Sequence, residues 1–119
     1  MHISKECDAL LCVLYRESLV RRSHGVSIDQ ASYFRDDVSI RENFMPLWSV
    51  DDVCTLCWRL VDHGLLFATL GDDRANDVSL TEQGLTYMQN RFGTRLDEVL
   101  SRLEKLFSLV LPWVCSPHP

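Results

Sequence analysis

Two short stretches of the chain decide the fold that the sequence predicts. They read LVDHGLL at residues 60–66 and VSLTEQG at residues 78–84. In the first stretch an amphipathic helical pattern stops at Gly64, because glycine readily takes the left-handed conformation that ends a helix. In the second, a period-two alternation runs into Thr81, a residue type that caps helices. The sequence therefore predicts a β-hairpin entered from one helix and left by another.

Around this hairpin, helical periodicity accounts for most of the chain. The stretch at residues 71–77, GDDRAND, has the composition of a loop and is longer than the two-residue turn of a tight hairpin. The predicted helices cover about residues 4–22, 49–63, 81–92 and 95–111.

The segment between residues 26 and 48 has the weakest pattern. Val26-Ser27-Ile28 alternates like a stub of strand, and Asp29 can cap a short helix after it. Ser39-Ile40-Arg41-Glu42 has capping-box spacing, which predicts another helical turn before Pro46.

The two quoted stretches resemble the winged-helix superfamily, in particular MarR- and PadR-like regulators. The first is similar to the exit from their third helix into the wing. The second is similar to their second wing strand and the threonine-x-x-glycine start of the next helix. The resemblance covers about Lys5 to Phe92. It implies a mainly α fold with a small β-hairpin (a winged helix-turn-helix), in which Gly84 lets one helix approach its neighbour closely.

The function that this resemblance implies is a transcriptional regulator that binds duplex DNA as a homodimer. The helix that begins at Ser49 would enter the major groove, and the hairpin would reach the minor groove or the backbone. The side chains implied at the DNA are Arg41, Thr55, Arg59, Arg74 and Asn76.

The spacing before the third helix departs from this pattern. Helix-turn-helix units usually join their helices by three or four residues, whereas a helix over residues 30–35 lies far from Val50. Either residues 40–45 form the second helix, or the unit carries an insertion.

The acidic net charge of the chain favours a second interpretation of its function. The chain has 17 acidic and 12 basic residues and a net charge of −5. Asp51 and Asp52 begin the third helix, and Asp72, Asp73 and Asp77 lie in the hairpin loop, where they would repel phosphates. The alternative is a winged-helix module whose acidic face binds another protein and does not bind DNA directly.

The chain divides into the winged-helix domain at residues 1–92 and a C-terminal helix and tail at residues 93–119. The last helix has apolar residues at the three- and four-residue spacing of a packing seam. We expect it to hold a homodimer, although the same residues could instead close the core of their own domain. The proposed dimer contacts are Leu96, Leu100, Leu103, Phe107 and Val110.

The chain contains five cysteines. Cys54 and Cys57 form a C-x-x-C pair on the apolar stripe of the third helix, where core packing is the expectation because structural zinc needs four converging ligands. Cys115, in the tail, is the cysteine that we expect to be exposed. A thiol- or metal-responsive regulator is the third alternative.

The sequence offers no catalytic constellation: it has no glycine-rich phosphate loop and no G-x-S-x-G elbow. We therefore expect a protein that is not an enzyme and uses no cofactor or metal. No apolar run approaches the roughly 20 residues needed to span a bilayer, and the N-terminus lacks a signal-peptide pattern. These features predict a cytoplasmic protein with no membrane partner.

Overall fold

Helices and one antiparallel ribbon make up the described part of the chain. The computed structural model describes residues 2–93 and 95–114, with side chains described as far as Leu106. Within these ranges lie six helices and a two-stranded sheet, so the predicted class, mainly α with a small β-hairpin, is confirmed. In chain order the elements are α1 (Lys5–Ser23), α2 (Ile28–Ala31), α3 (Asp37–Phe44), α4 (Val50–Asp62), β1 (Leu66–Gly71), β2 (Arg74–Leu80), α5 (Glu82–Phe92) and α6 (Leu96–Val114).

Polar side chains begin three helices where the sequence predicts them. The side chain of Ser4 accepts the backbone N–H of Cys7 at 3.1 Å, and that of Ser49 accepts the N–H of Asp52 at 3.0 Å. Thr81 caps α5 in the same way. Each cap satisfies an N–H group that has no partner within its helix. The last helix, α6, extends three residues beyond its predicted end.

The predicted strand stub at residues 26–28 is wrong. Ser27, rather than Asp29, caps α2, because its side chain accepts a backbone N–H in the first turn. The strand-like pairing occurs further along, where Tyr33 forms an isolated antiparallel bridge with Ser79 of β2. Its partner lies 46 residues away, so local alternation could not locate it.

The weak pattern after residue 35 hides a regular helix, α3. Asp36 is its cap, since a carboxylate oxygen accepts the N–H of Ser39 at 2.8 Å. The predicted capping box at residues 39–42 is therefore wrong. The link to α4 is only five residues long, 45–49. Of the two alternatives for this segment, the structure places a helix directly before α4.

The hairpin is tighter than its sequence predicts. The strands extend to Gly71 and Arg74, which pair with each other, so the connection is the two-residue turn Asp72–Asp73. Both aspartates have positive φ values, 55° and 59°. Two consecutive residues of this kind define a type I′ turn, which matches the twist of a hairpin, and aspartate tolerates the left-handed conformation better than most residues.

A bulge interrupts the hairpin in its middle. Phe67 pairs with Ser79 and Thr69 pairs with Asn76, so one residue on β1 lies opposite two on β2. Asp77, in this interval, has a φ of 50°. An extra residue of this kind bends a strand and changes the direction of the side chains beyond it.

The core lies between α1, α4, the inner face of the hairpin, α5 and α6. Leu10, Leu14, Leu60, Leu65 and Leu103 are all fully buried in it.

Two glycines allow close packing at the base of the hairpin. Gly64 takes a φ of 77° between α4 and β1, as the sequence predicts. A Cβ atom at Gly84 would lie 2.2 Å from the carbonyl oxygen of Leu65. The predicted close approach of α5 to its neighbour is thus confirmed, since no larger residue fits there without a shift of backbone.

Candidate binding surface on α4 and the hairpin

Arg74 joins the hairpin to α3 and α4 through two carboxylates. Its Nη1 atom lies 3.4 Å from Oδ2 of Asp37, whose side chain is fully buried. Its Nη2 atom lies 4.0 Å from Oδ1 of Asp51, a side chain that is 94% exposed. The start of α4 therefore lies beside the hairpin turn. The charge of Arg74 is compensated by the carboxylate of Asp37, which is buried and so is not screened by solvent.

Asp37 also accepts the backbone N–H of Ala75 at 3.4 Å, so it holds the main chain of β2 as well as Arg74. Its other oxygen, Oδ1, has no hydrogen-bond partner among the described residues. Burial, and next a hydrogen bond to Asp37, raise the pKa of the neighbouring Cys54 thiol. A buried carboxylate and a neutral thiol thus lie together under the hairpin.

The cysteines of the C-x-x-C pair differ in their burial. Cys57 is fully buried and Cys54 is half-buried, and both carry free thiols. Burial raises the pKa of Cys57 to about 12. Residues 2–93 and 95–114 contain no group of three or more side chains placed to hold a metal ion. Cys115 lies outside the described residues.

Besides Arg74, two of the predicted DNA contacts are engaged within the chain. Nε of Arg41 donates to the carbonyl oxygen of Trp48 at 2.9 Å, which ties α3 to the link before α4. Nδ2 of Asn76 donates to the carbonyl oxygens of Gly71 and Arg74, at 3.0 and 3.2 Å, and so braces the hairpin turn. Both side chains are half-buried.

The other two predicted contacts on α4, Thr55 and Arg59, are exposed. They lie one turn apart on the face opposite the buried Val53, Leu56 and Leu60. Within the described part of the chain Arg59 makes no ion pair closer than 4 Å. This exposure is what the apolar stripe on the opposite face of α4 predicts.

Acidic side chains lie at the start of the same helix and in the hairpin turn beside it. We call the exposed carboxylates at the start of α4 and in the hairpin turn the acidic edge: Asp51, Asp52, Asp72 and Asp73. The acidic edge thus carries four negative charges. The positive charges on α4 and the hairpin are those of Arg59, which is exposed, and of Arg74, which is paired with Asp37. The sequence shows these acids but not the burial of Asp37, because a second aspartate at a helix start is usually exposed.

The residues that the sequence predicts at a dimer interface are divided by the structure. Leu103 is fully buried within its own chain, and half-buried Leu96 packs against the same core. Leu100 is half-buried. The side chains of Phe107 and Val110 lie outside the described residues.

Polar contacts also hold α6 onto the rest of the chain. Arg16 of α1 pairs with Glu104 at 3.0 Å, and Nη1 of Arg102 donates to the carbonyl oxygen of Phe92 at 2.9 Å. The part of α6 before Leu106 thus completes the core of its own chain, the alternative that the sequence left open.

The comparisons with known proteins return no relative: no protein-family model matches the chain, and neither a curated protein nor a solved structure shows a significant match to it. Among the described residues, no helix is both long and apolar enough to cross a lipid bilayer.

Proposed function

We propose that the chain is a winged-helix module that binds a basic surface of a partner protein through its acidic edge. The order of its elements supports the winged-helix part of this proposal. A short link joins α3 to α4, a hairpin follows α4 directly, and the bridge at Tyr33 adds a second pairing, of a single residue, to β2. A helix-turn-helix with one wing would have this order of elements.

The proposal that the partner is a protein rests on the position of Arg74. A DNA-binding wing needs exposed cations, because neutralised phosphates supply most non-specific affinity. Arg74 instead contacts buried Asp37 and lies beside Asp51. The two aspartates of the turn then carry the hairpin's outermost charges. A phosphate backbone would be repelled there, whereas lysine and arginine side chains of a partner protein would be attracted.

A DNA-binding regulator remains a second candidate, and Arg59 is the observation that favours it. Arg59 and Thr55 are exposed side by side on the polar face of α4. In this candidate they would contact a phosphate and a base in the major groove. A homodimer paired through the outer face of α6 would present two such helices to a palindromic site.

Two labelled probes separate the candidates: a mixed-sequence DNA duplex, and a lysine-rich peptide that contains no apolar residue. Fluorescence anisotropy at low salt should show that the wild-type chain binds the peptide and not the duplex. Asp72→Asn combined with Asp73→Asn should weaken peptide binding severalfold, since each removed carboxylate lowers the local field. Wild-type binding to the duplex with a steep salt dependence would instead establish the DNA candidate.

The matched control is Asp97→Asn with Glu98→Gln, which removes the same total charge from the start of α6. Both side chains are more than half exposed and pair with Arg95 on their own segment. This control should leave peptide binding close to that of the wild type. Equal weakening by both pairs would mean that net charge alone drives binding, which contradicts a defined acidic edge.

A further inference from the structure

A groove on another face of the molecule runs between α2, β2 and α5. Its volume is about 630 Å³, within the range of pockets that bind ligands. Apolar surface comes from Ile28, Tyr33, Leu80 and Leu85, which all line it. No residue of α4 or of the hairpin turn contributes, so the groove is separate from the acidic edge.

Two of the groove's apolar side chains are unusually open to solvent. Ile28 is 51% exposed and Tyr33 is 42% exposed, and they line the same groove. Contiguous exposed apolar surface on a small protein marks a contact site more often than isolated residues do. The hydroxyl of Tyr33 donates to Oδ1 of Asp77 at 3.0 Å, which fixes the ring at the groove wall.

The charges that line the groove have one sign. Asp29 of α2 and Glu82 of α5 lie on its two sides, and no lysine or arginine is among its lining residues. An apolar segment flanked by acidic residues would be repelled, and one flanked by lysine or arginine would be attracted. The chemistry of the groove therefore complements a segment that is both apolar and basic.

Ser32 supplies an independent observation. It lines the groove, the whole residue is only 4% exposed, and its Oγ has no hydrogen-bond partner among the described residues. Its carbonyl oxygen accepts the N–H of Leu80 at 2.9 Å, so the backbone at this position is fixed to β2. Buried hydroxyls nearly always have a partner in native proteins. Because the Oγ atom is itself inaccessible, a backbone amide or carbonyl of a bound peptide would provide one only if the groove wall shifts at Ser32 on binding.

We infer that this groove docks a partner segment in which an apolar side chain is flanked by lysine or arginine. The apolar side chain would lie against Ile28 and Tyr33. The flanking cations would face Asp29 and Glu82. The inference rests on the proposed function in one respect, that the partner is a protein, and it adds a second contact away from the acidic edge.

The test uses three short labelled peptides of equal length: lysine-rich with a central leucine, lysine-rich with a central glutamine, and glutamate-rich with a central leucine. The first should bind the wild-type chain about tenfold more tightly than the second, the gain expected from burying most of one leucine side chain. The third should show no binding. NMR shift changes on adding the first peptide should fall at Ser32 and Thr86. Equal binding of the first two peptides, or shift changes confined to other faces, would overturn the proposal.

Variants of the groove separate this inference from the proposed function. Ile28→Gln, at a half-exposed position, should remove the advantage of leucine over glutamine. Asp29→Asn with Glu82→Gln should weaken the leucine peptide severalfold. The acidic-edge pair Asp72→Asn with Asp73→Asn removes equal charge and should keep the leucine advantage. If the edge pair alone weakens binding, the groove proposal fails and the proposed function stands. If only the groove variants weaken binding, the groove proposal stands and the proposed function fails.

A second copy of the chain is the competing occupant of the groove. Sedimentation of the wild type and of Ile28→Gln decides this point. A dimer that Ile28→Gln converts to a monomer would overturn the peptide proposal in favour of self-association. Equal masses for the two proteins support it.

Discussion

Thr81 joins the two ends of the hairpin through its side chain. Its Oγ1 atom donates to the carbonyl oxygen of Gly64 at 2.6 Å and accepts the N–H of Gly84 at 2.9 Å. One hydroxyl thus satisfies a carbonyl at the end of α4 and an N–H at the start of α5. The two stretches that decide the fold in the sequence contact each other in the structure.

Replacing Thr81 should therefore cost more than the loss of an ordinary helix cap. We expect Thr81→Val to lower the free energy of unfolding by about 1–3 kcal/mol, because it leaves two polar groups without partners. Thr81→Ser keeps the hydroxyl and should recover most of this loss. Urea denaturation measures both, with Thr86→Val at an exposed position of α5 as the control. Equal stability of Thr81→Val and Thr81→Ser would contradict the role of the hydroxyl.

Gly84 should be the least replaceable glycine of the described residues. Its missing Cβ would lie 2.2 Å from the carbonyl oxygen of Leu65, whereas a Cβ at Gly25 would meet nothing within 4 Å. Gly84→Ala should lower the free energy of unfolding by about 2–3 kcal/mol through forced backbone movement. Gly25→Ala adds only the strain of its positive φ, about 1 kcal/mol. Thermal denaturation of the two variants should rank them in this order.

The pair Asp37–Arg74 should show measurable coupling. Arg74→Gln leaves a buried carboxylate without its cation and should lower the free energy of unfolding by about 1–3 kcal/mol, within the range for a buried group that loses its partner. Asp51→Asn removes the second, exposed carboxylate and should change it by less than about 0.5 kcal/mol. A double-mutant cycle with Asp37→Asn isolates the pair. A coupling energy of zero would show that Arg74 is held by other contacts.

Stability should fall at alkaline pH because of two buried thiols. Burial raises the pKa of Cys12 and Cys57 from 9.0 to about 12. The unfolded chain therefore loses these protons first, and the stability they contribute is complete below pH 9 and is lost as pH rises toward 12. Urea denaturation between pH 8 and 11 should show this decline (pH range set by the ordinary thiol pKa of about 8.5–9). Cys57→Ala should be less stable at pH 8 yet show a shallower decline.

Leu103 and Leu100 of α6 should behave differently when replaced. Leu103 is fully buried in its own chain, so Leu103→Ala should lower the free energy of unfolding by about 2–5 kcal/mol whatever the oligomeric state. Leu100 is half-buried, so Leu100→Gln should leave the fold intact. If the outer face of α6 holds a homodimer, sedimentation should show that Leu100→Gln converts it to a monomer. A wild-type monomer would end the homodimer proposal.

The parts of the fold that the sequence predicts are those set by neighbouring residues. Ser49 and Gly64 fix the ends of α4, and Thr81 fixes the start of α5, because a cap acts over one turn of chain. The exposure of Thr55 and Arg59 follows in the same way from the apolar stripe on the opposite face of α4. Local signals of this kind need no knowledge of the tertiary structure.

The features that the sequence does not predict depend on contacts distant in the chain. Tyr33 pairs with Ser79 only because β2 offers an edge at that point. Asp37 is buried because the hairpin covers the start of α3. Arg74 pairs with this buried carboxylate and is therefore no longer a free cation that could bind a phosphate. The hairpin loop was overestimated because Asp72 and Asp73 adopt the conformation that glycine or asparagine usually supplies.

The bulge at Asp77 determines which side chains of the hairpin's outer half reach the interior. Leu80 and Val78 are buried and Ser79 is not, so an unbroken alternation would next bury polar Asn76. The additional residue shifts the alternation by one position, so that Ala75 is buried in place of Asn76. The N–H of Ala75 then donates to Asp37. Removing a single codon here would exchange the inner and outer surfaces of the tip while changing almost nothing in composition. The burial pattern of the tip thus depends on the number of residues in this strand.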